Sequence, residues 1–319
     1  MTKTPPKLKK IFIVFLILIG AGITISLFKD QLLKSAVCLG VSQVTGTKVT
    51  MGSFALNILG QQIRIKDLKI YNPKEFPQEV LLYCPEVSVD YDLKALLKKK
   101  LHLAFVIVNL RELVVVRNKE GQLNVDNLKF LKNKSGEPPF ETMQFDMLSL
   151  NVGRVIYKDL NKNAGSSPQV FYLNIKDKIF RDITSAHQFA TLILWETLKS
   201  TTIKTAAIQA VASKFGYGSM VIGVVNSLLS PDEVSVEFKK GYDQVFAVCL
   251  KVIQSQGVVK EEVKQSGLIK ANVEGADVVI KMSRLTNNRV NVTVSARKLL
   301  LPKPEVAGSV MYTIEDKLK

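Results

Sequence analysis

The sequence predicts an α+β fold: an N-terminal transmembrane helix, an elongated antiparallel β-rich sheet forming an apolar groove, a helical linker, and a small C-terminal α+β (βαβββ) sandwich. Three observations predict it. An uncharged apolar run, Ile11 to Phe28, follows a lysine-rich start. Between Thr47 and Leu128, segment after segment alternates apolar and polar residues, the signature of strands with one buried face. From residue 232 the pattern becomes strand, helix and three further strands, an order that places helices on one face of an antiparallel sheet. The expected divisions are 1–28 for the basic tail and anchor, 29–182 for the strand-rich domain, 183–231 for the helical segment and 232–319 for the small α+β domain.

Composition permits this organisation. With 319 residues, 47% of them apolar, the chain has ample material for one large or two ordinary cores. Lys plus Arg outnumber Asp plus Glu by 44 to 28, so the chain carries a net charge of +16 and favours an anionic neighbour. Cys38, Cys84 and Cys249 are far apart and form no CxxC pair, which signals neither a zinc site nor a disulfide framework. They read as small buried hydrophobes.

The start of the chain holds Lys3, Lys7, Lys9 and Lys10, and the run from Ile11 to Phe28 follows at once. Eighteen residues at about 1.5 Å each give roughly 27 Å, enough to cross a hydrocarbon core. Positive flanks stay in the cytoplasm, so the bulk of the chain is expected on the far side of a single-pass anchor. A cleaved signal peptide is the rival reading, with small residues at Gly20-Ala21-Gly22, but Ile23, Ile25, Leu27 and Phe28 carry the apolar run past them. Leu32, Leu33, Ala36, Val37, Leu39, Val41 and Val44 then recur at helical spacing until Thr45-Gly46. This predicts a juxtamembrane helix.

In QQIRIKDLKIY, Ile63 and Ile65 share one parity while Leu68 and Ile70 take the other, which predicts a bulge near Lys66-Asp67. Val87, Val89, Tyr91 and Leu93 alternate cleanly with polar residues. From Leu103 to Val108 both parities are apolar, which predicts a central strand covered on both faces. Asn72-Pro73 ends one strand, and Gly121 allows the turn that re-enters as Leu123 and Val125, with Asn124 and Asn127 tying up turn backbone. Met143, Phe145 and Met147 begin another strand whose phase slips at Leu148, and PQVFYLNIK adds one more.

Together, the apolar N-terminal segment, TGTKVTMGSF, Tyr71-Asn72-Pro73 with Phe76, VSVDYDLKALLKKKLHLAFVIVNL and GQLNVDNL resemble the N-terminal region of AsmA-like proteins, over residues 1 to about 160. The resemblance implies a protein anchored in the bacterial inner membrane with its bulk in the periplasm, concerned with outer-membrane biogenesis or lipid transport. Its implied partners are the membrane, phospholipid and other envelope proteins. Parity selects Ile63, Ile65, Leu68, Ile70, Val87, Val89, Leu103, Phe105, Ile107, Val114 and Val116 as candidate lining of an apolar, lipid-binding groove. Ten strands at about 4.8 Å spacing reach only about 50 Å, so the expected groove is short.

Phe189, Leu192, Ile193, Trp195 and Leu198 mark a helical face after Thr184, and the uncharged MVIGVVNSLLS is too short to span a bilayer. In the last segment KGYDQVF, GLIKANVEGADVVIKM and NRVNVTVSARKLLLPKPEVAG are similar to an uncharacterised domain of small bacterial envelope lipoproteins. No Walker loop, GxGxxG, HExxH or GxSxG is present, and His102 and His187 have no partner at ligand spacing, so no catalytic residue, metal or cofactor is expected. Basic clusters such as Lys98-Lys99-Lys100 lack the interleaved aromatics of a nucleic-acid platform. A scaffolding protein whose C-terminal domain binds a protein partner is the alternative reading.

Overall fold

A computed structural model of the chain describes residues 30–132, 142–161, 167–203, 205, 233–286, 288–299 and 301–319. The expected transmembrane helix, Ile11 to Phe28, lies outside these residues, as does the segment MVIGVVNSLLS. Among the described residues no helix is long and apolar enough to cross a membrane.

The fold is α+β, with two large sheets and few helices. The first sheet contains β1 (Val49–Thr50), β2 (Ser53–Asn57), β3 (Gln62–Tyr71), β4 (Val80–Tyr91), β5 (Lys100–Arg117), β6 (Thr142–Asp159) and β7 (Gln169–Ile183). Its order is β1-β3-β4-β5-β6-β7, with β2 beside β1 on the same edge of β3. The expectation of an antiparallel sheet is corrected at one place: β5 and β6 run parallel, Lys100 opposite Thr142 and Arg117 opposite Asp159. After β5 the chain turns at Gly121 (φ 81°) and passes through a 3₁₀ turn, Val125–Asn127, and helix α3 (Lys129–Lys132), so β6 begins beside the start of β5 rather than its end.

The strands are creased along one line that crosses the sheet. Asp67 sits at φ 53°, Pro85 faces it on β4, and Asn174 and Asp177 on β7 both lie at φ 48°. A Cβ on Gly52 would meet Asp67 Oδ2 at 2.8 Å, and one on Gly153 would meet the Arg111 carbonyl at 2.6 Å, so glycine lets the backbones approach at both places. The left-handed Asp67 changes the parity of β3, as expected near Lys66-Asp67. It does so without slipping the pairing to β4: Lys66 faces Glu86 and Leu68 faces Cys84.

One face of this sheet, called the front, carries most of the core. Residues 30–45 form helix α1, whose Leu33, Val37 and Cys38 pack on Ile65, Val87, Val106, Val108 and Leu148. Helix α4 (Ala186–Leu198) lays Leu192 and Ile193 on the same cluster, and Leu194, Trp195 and Leu198 on a neighbouring one with Leu113, Val115 and Phe171. Its start is fixed because Ser185 Oγ accepts the Gln188 N–H at 3.0 Å. Short helix α2 (Leu93–Leu97) is capped by Asp92, which accepts from the Lys94 and Ala95 amides.

The C-terminal module has strand β8 (Glu233–Phe238), helix α5 (Tyr242–Gln256), β9 (Gly257–Val263), β10 (Leu268–Val273), β11 (Ala276–Thr286), β12 (Arg289–Lys298), β13 (Leu301–Pro302) and helix α6 (Pro304–Lys317). The expected βαβββ order therefore lacked one strand. β9 reads GVVKEEV, an almost wholly exposed edge strand paired to β10 alone, and its charged residues mask it in the sequence. Both helices pack on one side of the all-antiparallel sheet: Val245, Cys249 and Ile253 of α5, and Val310, Met311 and Ile314 of α6, meet Ile269, Ile280, Val292 and Val294. Helix α6 also meets the first sheet. A Cβ on Gly308 would lie 1.9 Å from the Val170 carbonyl of β7, so glycine is what allows the helix to sit there.

Candidate functional site

The candidate groove residues divide between two faces. Ile63, Ile65, Leu68, Val87, Val89 and Leu103 belong to the front cluster under α1 and α4, and Ile70 packs on the adjoining front cluster. Val114 and Val116 point the other way, into a back cluster with Phe76, Ile156, Val170, Tyr172 and Tyr312. Phe105 and Ile107 are also on the back, since Val106 and Val108 between them face front, but they are only half-buried and belong to none of these clusters. The parity argument assumed one alternation along β5. The crease near Arg111 breaks it, so core residues are Val106, Val108 and Leu110 before that point and Leu113 and Val115 after it. The strand is central, as expected, but its doubly covered portion is 113–116 rather than 103–108.

On the back face, Phe105 is directly opposite Met147 of β6, and Ile107 is opposite Ser149, whose other neighbour is the exposed Ile179 of β7. Toward the crease this apolar strip meets a shallow depression of about 440 Å³ bounded by Pro85, Asn109, Arg111, Asn151, Lys176 and Asp177, among others. Its floor is tied together. Asn151 Nδ2 donates to Asn109 Oδ1 at 2.9 Å, and Asn151 Oδ1 accepts the Asp177 amide at 2.8 Å.

The motif asparagines are architectural. Asn124 is fully buried, and its Oδ1 accepts from the Val116 and Val125 amides at 3.0 and 2.9 Å. Its Nδ2 donates to the Val114 carbonyl and to Asn72 Oδ1, at 2.9 and 2.8 Å, while Asn72 Nδ2 donates to the Pro77 carbonyl. Two motifs 52 positions apart thus share one buried network. Asn127 Nδ2 donates to the Leu123 carbonyl, the expected turn bond.

His102 has partners that its sequence neighbourhood did not reveal. Its Nε2 lies 2.7 Å from Asp146 Oδ2 and its Nδ1 lies 3.7 Å from Asp92 Oδ2. The hydrogen bond to Asp146 raises the imidazole pKa above its ordinary value, and the same bond lowers that of Asp146. Asp146 is 44 residues away in the chain and reaches His102 only through the parallel pairing of β5 with β6, so no local signal announced it. Gln144 completes the group, donating to Asp146 Oδ1 at 2.6 Å.

Arg154 makes the most heavily bonded charged site. Its side chain is 9% exposed, bonds Glu112 at 2.8 Å, pairs with Glu315 of α6, and donates to the Tyr172 hydroxyl at 3.2 Å. Its guanidinium also lies 4.8 Å from the centre of the Tyr312 ring. The cluster is a joint between the first sheet and the C-terminal module. Burial pushes the thiols of Cys84 and Cys249 up to about 12, so neither is a reactive thiolate near neutral pH. Among the described residues no group of His, Cys, Asp and Glu is arranged to hold a metal ion.

No protein-family model matches the chain, and no curated protein is similar to it at a significant level.

Proposed function

We propose that this chain is an inner-membrane-anchored, periplasmic protein of the AsmA-like kind that assists outer-membrane biogenesis or lipid handling from the bilayer surface. The observation that carries the reading is the union of Asn72 and Asn124. The Tyr71-Asn72-Pro73 and GQLNVDNL segments on which the AsmA-like resemblance rests are brought together in one buried hydrogen-bond network, and Phe76 of the first seals the back cluster. The lysine-rich start and the run Ile11 to Phe28 supply the anchor.

Packing decides where acyl chains would run. Residues such as Val89 and Leu103 are committed to the interior, whereas Phe105, Ile107, Met147 and Ile179 form the accessible apolar strip. Lipid extracted from the purified full chain and identified by mass spectrometry tests this. Phe105→Asp is expected to lose the lipid and keep the thermal midpoint within a few degrees, while Val89→Asp unfolds the protein, because an unpaired charge in a core costs several kcal/mol. Absence of copurifying lipid, with both variants affecting stability alone, sinks the lipid reading. The scaffolding alternative then stands, favoured by the close seating of α6 between the two sheets.

A further inference from the structure

The end of the first sheet where residue 30 lies carries an arrangement that the fold does not use. Asp30 Oδ1 accepts the Leu56 amide at 3.2 Å, which places the start of α1 beside the end of β2. The β2–β3 turn, Ile58-Leu59-Gly60-Gln61, projects from the same end, and Leu59 is 97% exposed. Gln61 ties this turn to α2: its carbonyl accepts the Tyr91 amide and its Oε1 accepts the Leu93 amide, both at 2.9 Å. On α2, Leu97 is 79% exposed, and Lys94, Lys98, Lys99 and Lys100 surround it in solvent.

Two leucines at the tips of neighbouring turns contribute nothing to the core, and four lysines lie close by. The nearby carboxylates are engaged within the protein: Asp92 caps α2, Asp146 holds His102, and Asp90 accepts from Gln62 at 3.0 Å. The apolar run Ile11 to Phe28 ends two residues before Asp30, so the chain arrives at this end directly from its most hydrophobic segment.

We propose that this end is a docking surface for an anionic phospholipid bilayer, in which Leu59 and Leu97 enter the headgroup–acyl boundary while Lys94, Lys98, Lys99 and Lys100 meet lipid phosphates. Apolar tips ringed by ammonium groups have the chemistry of an interfacial anchor, because the tips gain from leaving water and the cations gain from the negative surface. The inference rests on the membrane-anchored reading for the direction in which this end points. It adds that the sheet stands on the bilayer instead of swinging freely on its tether.

The test reconstitutes the full chain in vesicles of phosphatidylcholine with or without phosphatidylglycerol, the acyl chains carrying bromine. Leu59→Trp and Leu97→Trp report contact as lost fluorescence, measured against the unsubstituted chain, whose single Trp195 is buried. Leu299→Trp, at an 89% exposed position of the C-terminal module, is the control. Quenching at positions 59 and 97 but not 299, deepened by the anionic lipid and reversed when the four lysines become glutamine, supports the surface. A chain that resists carbonate extraction yet shows no quenching at 59 and 97 overturns docking while sparing the anchor. If carbonate releases the chain, the anchor reading fails, and quenching at 59 and 97 still decides the surface by itself. Quenching indifferent to both anionic lipid and lysine substitution overturns the headgroup contact, and a blue shift without quenching overturns the bilayer in favour of a protein partner.

Discussion

His102 is held between Asp146 at its Nε2 and Asp92 near its Nδ1, and the bond to Asp146 raises its pKa above the ordinary 6.5. A raised folded value means that the imidazolium stabilises the fold fully below the unfolded pKa and loses that contribution as pH rises through the folded one. Asp146 has the opposite sign: its pKa is lowered, so its contribution is present above the unfolded value and is lost as pH falls through the folded one. The pair is therefore strongest between about pH 4 and 6.5. Asp146→Asn is expected to move the His102 midpoint downward in an NMR titration and to flatten the loss of stability above pH 6.5. An unchanged midpoint would show that Asp146 does not hold the ring. Both groups are partly open to water, so the effect on overall stability is small.

The crease is the feature that organises the strands as elements. It passes through Gly52, Asp67, Pro85, Arg111, Gly153 and Asn174, one position per strand, and exchanges front and back along β3 and β5. Helix α6 exploits the reversal, since the far half of β5 now turns Val114 and Val116 toward it. Gly308 sets how closely that helix approaches. Replacing glycine by alanine within a helix ordinarily gains up to about 1 kcal/mol. Here the added methyl would stand 1.9 Å from the Val170 carbonyl, so the helix must shift. Gly308→Ala is expected to destabilise the protein by about 1–3 kcal/mol in urea denaturation. A stabilised variant would mean that α6 does not sit on β7 in solution.

At the level of the whole molecule, the two sheets are joined by α6 and by the ion cluster at Arg154. Glu112 comes from β5, Arg154 from β6, Tyr172 from β7, and Glu315 and Tyr312 from α6. Arg154→Met leaves two partly buried carboxylates facing each other and is expected to cost about 3 kcal/mol. Adding Glu112→Gln and Glu315→Gln to that variant should recover part of the loss, read as the shift of the urea midpoint. No recovery would show that packing, rather than charge, makes the joint. With β1 and β2 sharing one edge, the first sheet is six strands wide, about 24 Å at about 4.8 Å per step, far from the distance between two membranes.

The sequence alone determined the local choices: strands where apolar and polar residues alternate, α1 from its helical spacing, the stop of α5 at Gly257, and the turn roles of Asn124 and Asn127. These follow from short-range sterics and from which residues can be buried, and both are written in neighbouring positions. The anomalous Ile58-Leu59 in a turn was also legible, as apolar residues where a turn needs polar ones. Only the tertiary structure decided that β6 lies parallel to β5, that Asp146 reaches His102, and that Val114 and Phe105 part company with Val89. Each depends on contacts between residues tens of positions apart, and on backbone reversals at single left-handed residues, where one torsion outweighs the parity of a whole strand.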